Sequence, residues 1–160
     1  MHFGSVRQNM NSQFQHNRFS GLFLGALLLT SACASVPMSS SEKDAEAKKF
    51  NIPPTHSRIY LYRNEALGSA MKVAITLDGR HKGKTARNIY FSWDVKPGEH
   101  ELSCLAETDS TITVNAKPGK AHFVWQEMKM GLLSAGCALH EVDQSVGKKA
   151  ILSCNLAKSH

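Results

Sequence analysis

This 160-residue chain predicts an all-β fold, a small antiparallel β-sandwich of about seven strands with a short C-terminal helix. Three observations carry that expectation. From Ser57 to about Val142 apolar residues alternate with others at period two, the signature of strands with one buried face. Glycine-bearing turns recur between the alternating runs, which suits adjacent antiparallel strands. From Asp143 onward the apolar spacing changes to three or four, as in an amphipathic helix.

The first residues are of another kind. A polar, basic stretch with Arg7 and Arg18 leads into the apolar run Gly21 to Leu29, then Thr30-Ser31-Ala32 and Cys33. Basic, apolar and small segments in that order make a secretory signal, and the run is too short for the roughly 20 residues of a spanning helix. Leu27 through Cys33 reads as a lipobox: residues 1–32 are expected to be a signal peptide, cut before Cys33, whose thiol carries a diacylglycerol. Thr30 stands where bacterial lipoproteins usually have Leu. Ala34 after the cysteine, by resemblance to lipoproteins of two-membrane bacteria, implies the outer membrane, with the domain facing the periplasm from the inner leaflet. Residues 33–52 are expected to be the lipidated cysteine, a flexible tether and a short helix capped by Ser41, stopped at Pro53-Pro54. Residues 53–160 form the sandwich domain.

Cleavage leaves 128 residues, enough for one core. The whole chain has 19 Lys and Arg against 13 Asp and Glu; the signal holds two of the basic residues and no acid, so the mature part has 17 against 13. That surplus suits anionic headgroups or a polyanionic envelope polymer and is too small for a nucleic-acid footprint, so no nucleic-acid partner is expected.

Taken in order, the strands are expected around Ile59 and Leu61, Val73 to Leu77, Ile89 to Val95, His100 to Glu107, Thr111 to Ala116, Ala121 to Lys129, and Cys137 to Val142. Asp78-Gly79, Pro97-Gly98 and Pro118-Gly119 supply turns between them. In the tail, Val146, Ala150, Cys154 and Ala157 form the apolar stripe of a helix started by Asp143, with Gly147 costing about 1 kcal/mol relative to alanine.

Phe50 and Pro53-Pro54, then Arg58-Ile59-Tyr60-Leu61-Tyr62-Arg63, Leu77-Asp78-Gly79, Tyr90-Phe91, Val95-Lys96-Pro97-Gly98-Glu99-His100-Glu101-Leu102, Pro118-Gly119-Lys120 and Gly147-Lys148-Lys149-Ala150 together resemble domain of unknown function 2846 of bacterial envelope lipoproteins. The resemblance covers about residues 50 to 157. It implies a fold and an address, and no activity, cofactor or site residue.

Several constellations invite a chemical reading. Gly79-Arg80-His81-Lys82-Gly83-Lys84-Thr85 has three residues between glycine and Gly-Lys-Thr where a phosphate loop needs four, and a strand follows it, so it reads as a basic hairpin. Ser145-Val146-Gly147-Lys148 has the spacing of a serine nucleophile and its lysine but no partner motif, so it reads as a helix start. His122, His140 and the remaining histidines and cysteines lack any metal-ligand spacing, so no metal and no cofactor are expected. Asp94, Glu99 and His100 flank one hairpin loop and are the nearest approach to an acid–base set.

An exported chain keeps disulfides, and with Cys33 acylated three thiols remain. Cys104 shares parity with the apolar residues of its strand and Cys154 lies on the tail stripe, so Cys104 with Cys154 is the expected bridge; Cys137 with either, or three free thiols, are the other arrangements. Tyr60, Tyr62 and Tyr90 have the opposite parity to their apolar neighbours, as a surface strip for glycan or a partner's strand would, or as packing against a second layer would. Packing is the expectation for the tyrosines; the alternative is a binding surface that they make up with Arg80, Lys82, Lys84 and Arg87 of the basic hairpin.

The expected function is therefore that of an outer-membrane-anchored periplasmic lipoprotein without enzymatic activity. It would act as an interaction or structural module, held to the membrane by its anchor and meeting another envelope protein or the cell-wall polymer. The alternative is a small envelope-polymer hydrolase or ligand-binding protein using the Asp94, Glu99 and His100 loop.

Overall fold

A computed structural model describes residues 35–130 and 135–160. The expected signal peptide at 1–32 and the acylation site Cys33 lie outside the described residues. Helix α1 (Ser41–Ala47) comes first, followed by β1 (Ser57–Arg63), β2 (Val73–Leu77), β3 (Arg80–Thr85), β4 (Ile89–Val95), β5 (Gly98–Leu105), β6 (Ser110–Ala116), β7 (Ala121–Met130) and β8 (Ala135–Val142). Helix α2 (Gln144–Leu152) and the short β9 (Asn155–Leu156) end the domain.

The strands form two sheets, β8-β7-β1-β4-β9 and β3-β2-β5-β6, so the sandwich is as expected. The basic hairpin arm β3 and the two-residue β9 are strands beyond those read from alternation. Pairing is not antiparallel throughout: β1 lies parallel to β7, with Tyr60 opposite Phe123, and β4 lies parallel to β9. The reason is topological. After β1 the chain crosses to the second sheet for β2 and β3, returns as β4 on one side of β1, crosses again for β5 and β6, and returns as β7 on the other side.

Ile59, Leu61, Phe91 and Val124 of the larger sheet meet Ile75, Leu77, Leu102 and Val114 of the smaller one in the main core. The larger sheet is buried on its outer face too. There Tyr60, Tyr62, Tyr90 and Phe123 pack against Ala47, Ala150, Ile151 and Cys154, under α1 and α2. Burial along β1 is therefore almost unbroken instead of alternating.

Gly147 explains how α2 comes so close. A Cβ at that position would sit 2.3 Å from Cβ of Phe123, so glycine trades helix propensity for direct contact with β7. Val146, expected on the apolar stripe, is instead exposed, and Ile151 takes its place in the contact. The N-cap of α1 is Ser40, whose hydroxyl accepts from the Lys43 amide, one residue before the expected Ser41.

The expected tether is ordered into the domain from Val36 onward. Val36 is buried in the main core, Met38 bridges Ala157, and the Lys158 amide donates to Pro37 O at 2.8 Å. A four-residue segment that pairs only with the far end of the chain carries no local signal of doing so.

The disulfide also differs from expectation. Cys104 on β5 is bonded to Cys137 on β8, joining the two sheets across one flank, with Cα atoms 6.4 Å apart. Cys154 is not its partner. It follows α2 on the outer face of the larger sheet, and that sheet separates it from Cys104. Both cysteines face apolar surroundings, as their patterns indicate, but in different layers.

Candidate functional site

The tyrosines are not a binding surface. Tyr60 and Tyr90 are fully buried and Tyr62 nearly so. Tyr60 Oη donates to Ala47 O at 2.7 Å, its ring stacks on Phe123 with centroids 5.1 Å apart, and burial pushes the Tyr60, Tyr62 and Tyr90 hydroxyls up from their ordinary values. Their opposite parity marks contact with the two helices.

The basic hairpin lies on the flank away from the disulfide. There the C-terminal tail crosses from the larger sheet to β3: the Ala157 amide donates to Tyr90 O, Trp93 Nε1 donates to Ser159 Oγ at 2.8 Å, and the His160 amide donates to Lys82 O at 3.2 Å. Two of the concavities beside this crossing take in the basic hairpin. The larger, an open cleft of about 570 Å³, is lined by Asp78, Arg80, Lys82, Trp93, Asp94, Lys96 and His100 among others. The smaller, of about 210 Å³, takes in Lys84. The expected basic set is thus divided: Arg80 and Lys82 face the first, Lys84 the second, and Arg87 is exposed in the turn before β4. Lys72, Lys96 and Lys158 join them only through the fold, since they come from three other parts of the chain.

Asp94 and His100 do share the larger cleft, and Glu99 does not line it. Each is already engaged. Arg58 grips Asp94 with Nε at 2.6 Å and Nη2 at 3.0 Å, and the carboxylate raises the arginine's pKa. His100 places Nδ1 2.7 Å from Asp78 Oδ2 and Nε2 2.8 Å from Lys96 O. Both partners are acceptors, so satisfying both bonds requires an imidazolium that donates twice. Burial pulls its pKa down, and the bonds to Asp78 and Lys96 O outweigh that and raise it. Asp78 itself has a left-handed backbone, φ 52°, and its Oδ1 also accepts from the Glu101 amide. His100 is therefore the clamp of a turn, with neither nitrogen free to accept a proton.

Other tempting residues are similarly occupied. His122 Nε2 accepts from the Lys117 amide, which leaves Nδ1 to donate to Glu141 at 3.0 Å. His140 meets Glu127 at 2.8 Å. Gly83 of the phosphate-loop lookalike has φ 138° and lies against the Phe91 ring, so its backbone belongs to the core. Lys148, one turn after Ser145, has its ammonium 5.1 Å from the centroid of the Phe50 ring.

The geometry defines a helix-backed β-sandwich with one covalently closed flank and one basic, cleft-bearing flank. The chain belongs to the family Protein of unknown function (DUF2846), whose sequence model matches residues 53–138, the family its motifs resemble. It is similar to a protein of Haemophilus influenzae bearing the name "Uncharacterized protein", 37% identical over 139 residues that span 86% of this chain and 83% of the relative. No solved structure matches it.

Proposed function

We propose that this protein is an outer-membrane-anchored periplasmic lipoprotein that acts without catalysis, as a module binding an acidic envelope protein or cell-wall polymer. The anchor is Cys33, supported by the basic, apolar and small segments that precede it. The contact surface is the larger cleft, where Arg80, Lys82 and Lys96 supply positive charge around Trp93. The observation that carries the reading is the engagement of the cleft's own acid–base groups: Asp94 is held by Arg58, and both His100 nitrogens donate, so the lysines and Arg80 are left to meet a partner. The same bonds weigh against the hydrolase alternative, which needs a free base within reach of a substrate.

Photo-crosslinking from position 82 in intact cells tests this. A discrete partner, lost in an R80E/K82E variant and not captured from position 117, is the expected result. Equal capture from both positions, or none above background, would remove the support for a binding module.

A further inference from the structure

Arg63 ends β1 and is fully buried, a costly placement for a guanidinium unless its hydrogens are taken up. Nη1 donates to Met71 O at 2.8 Å, and Nη2 donates to Leu67 O at 3.2 Å and to Gly68 O. The loop from 64 to 72 is thereby wrapped with these carbonyls inward, and it displays the side chains of Leu67, 48% exposed, and Met71, 37% exposed. Next along the chain, Lys72 lines the smaller cleft with Lys84 and Lys158, and none of that cleft's lining residues is acidic. Ser35 and the stacked His81 and His160 complete its polar wall.

Apolar side chains beside a cleft lined by three lysines and no acidic side chain match the boundary of a bilayer, where acyl chain and phosphate lie side by side. The course of the chain supplies the second argument. Ser35 lines the same cleft, and Ala34 alone separates it from Cys33. Two residues reach at most about 7 Å. Because Val36 and Met38 are already tied to the domain, an acyl group on Cys33 leaves the sandwich little freedom to turn away from the leaflet.

We propose that this end of the sandwich docks on the phospholipid bilayer that holds the anchor. Lys72, Lys84 and Lys158 take headgroup phosphates, and Leu67 and Met71 enter the interface. The inference rests on the acylation of Cys33 proposed above. It assigns Lys84 to the membrane and leaves Arg80, Lys82 and Lys96 of the larger cleft to a soluble or cell-wall partner. The turn holding Lys117 and Lys120, at the other ends of the strands, faces away from the bilayer.

The test uses the full chain purified from membranes and placed in lipid nanodiscs, either phosphatidylcholine alone or phosphatidylcholine mixed with phosphatidylglycerol. Hydrogen exchange of residues 64–72 and 81–85 is followed by mass spectrometry, and the mass of the N-terminal peptide reads the acyl group on Cys33. Exchange at least about fivefold slower in the anionic discs is expected, lost in K72E/K84E/K158E, reduced in L67S/M71S and kept in K117E/K120E. The altered side chains are all exposed in the fold. An acylated chain with equal exchange in the two lipids, or one affected as much by K117E/K120E as by the triple variant, would overturn the docking and leave the anchor standing. An unacylated Cys33 would overturn both.

Discussion

Between β5 and β8 the edge of the sandwich is shut by the Cys104–Cys137 bond, with the Cys137 amide donating to Thr108 O and the Leu139 amide to Ser110 Oγ. Between β4 and β3 it is shut without a covalent bond, by residues 36–39 and the C-terminal residues 155–160, through hydrogen bonds and the burial of Val36 and Ala157. The second flank carries the two clefts that take in the basic hairpin; at the end of β8 lies a further open concavity, lined by Glu141, Val142 and the start of α2. A covalent staple lets strands meet directly and removes accessible edge, whereas a crossing tail holds the sheets together at a distance and exposes what lies on either side of it. The basic surface proposed for recognition lies on the flank closed without a covalent bond.

Cys104 and Cys137 are 33 residues apart, so C104A/C137A should lose about 3 to 4 kcal/mol, read by urea unfolding against the oxidised parent. A loss below about 1 kcal/mol would mean that the β6 and β8 contacts close this flank by themselves.

On the tail flank, Gly83 is the tightest point. Its φ of 138° disfavours any side chain, and a Cβ would lie 2.8 Å from the Phe91 ring and 3.5 Å from Lys158 O. G83A should cost about 2 to 3 kcal/mol and expose Trp93 as the tail lifts, visible as a red shift of its emission. Unchanged stability would show that β3 can move away from β4 without loss.

The smallest effect is expected at His100, which tightens the turn beneath the larger cleft. Its folded pKa is raised above the ordinary 6.5, so the stability it contributes is full below about 6.5 and is lost as pH rises through the folded value. Wild-type stability should therefore fall relative to H100Q on going from pH 6 to pH 8, by urea midpoint. Parallel pH curves for the two proteins would show that the doubly donating imidazolium contributes nothing.

Much of the fold was legible because it is local. Alternation located the strands from Ser57 to Val142, the Pro-Gly and Asp-Gly turns separated them, and Asp143 marked the start of α2. β3 was harder to read as a sheet strand: Arg80, Lys82 and Lys84 give it a polar appearance, and only Gly83 and Thr85 are fully covered. Alternation reports that two faces differ; it does not report what covers each one. Period two alone leaves Tyr60, Tyr62 and Tyr90 open to packing or exposure, and α1 and α2, from either side of the strand region in sequence, bury them.

The candidate site shows the same division. That Arg80, Lys82 and Lys84 form a basic arm follows from composition and period. That Lys96 faces the same cleft as two of them, and Lys72 and Lys158 the same cleft as the third, depends on how the tail crosses the sandwich. Asp94, Glu99 and His100 are close in sequence, yet the chemistry of Asp94 and His100 is decided by Arg58 of β1 and Asp78 of the turn between β2 and β3.

By itself the sequence determined the strand-rich class, the family, the short amphipathic helix and the order of segments expected to lead to an anchor at Cys33. These are properties of neighbouring residues, and neighbouring residues state them. Only the tertiary structure decided that Cys104 meets Cys137 and not Cys154, that the tyrosines are interior, and that residues 36–39 belong to the domain. Each of these joins distant parts of the chain, and the free energy that selects such a pairing comes from packing of whole layers, which no local pattern encodes.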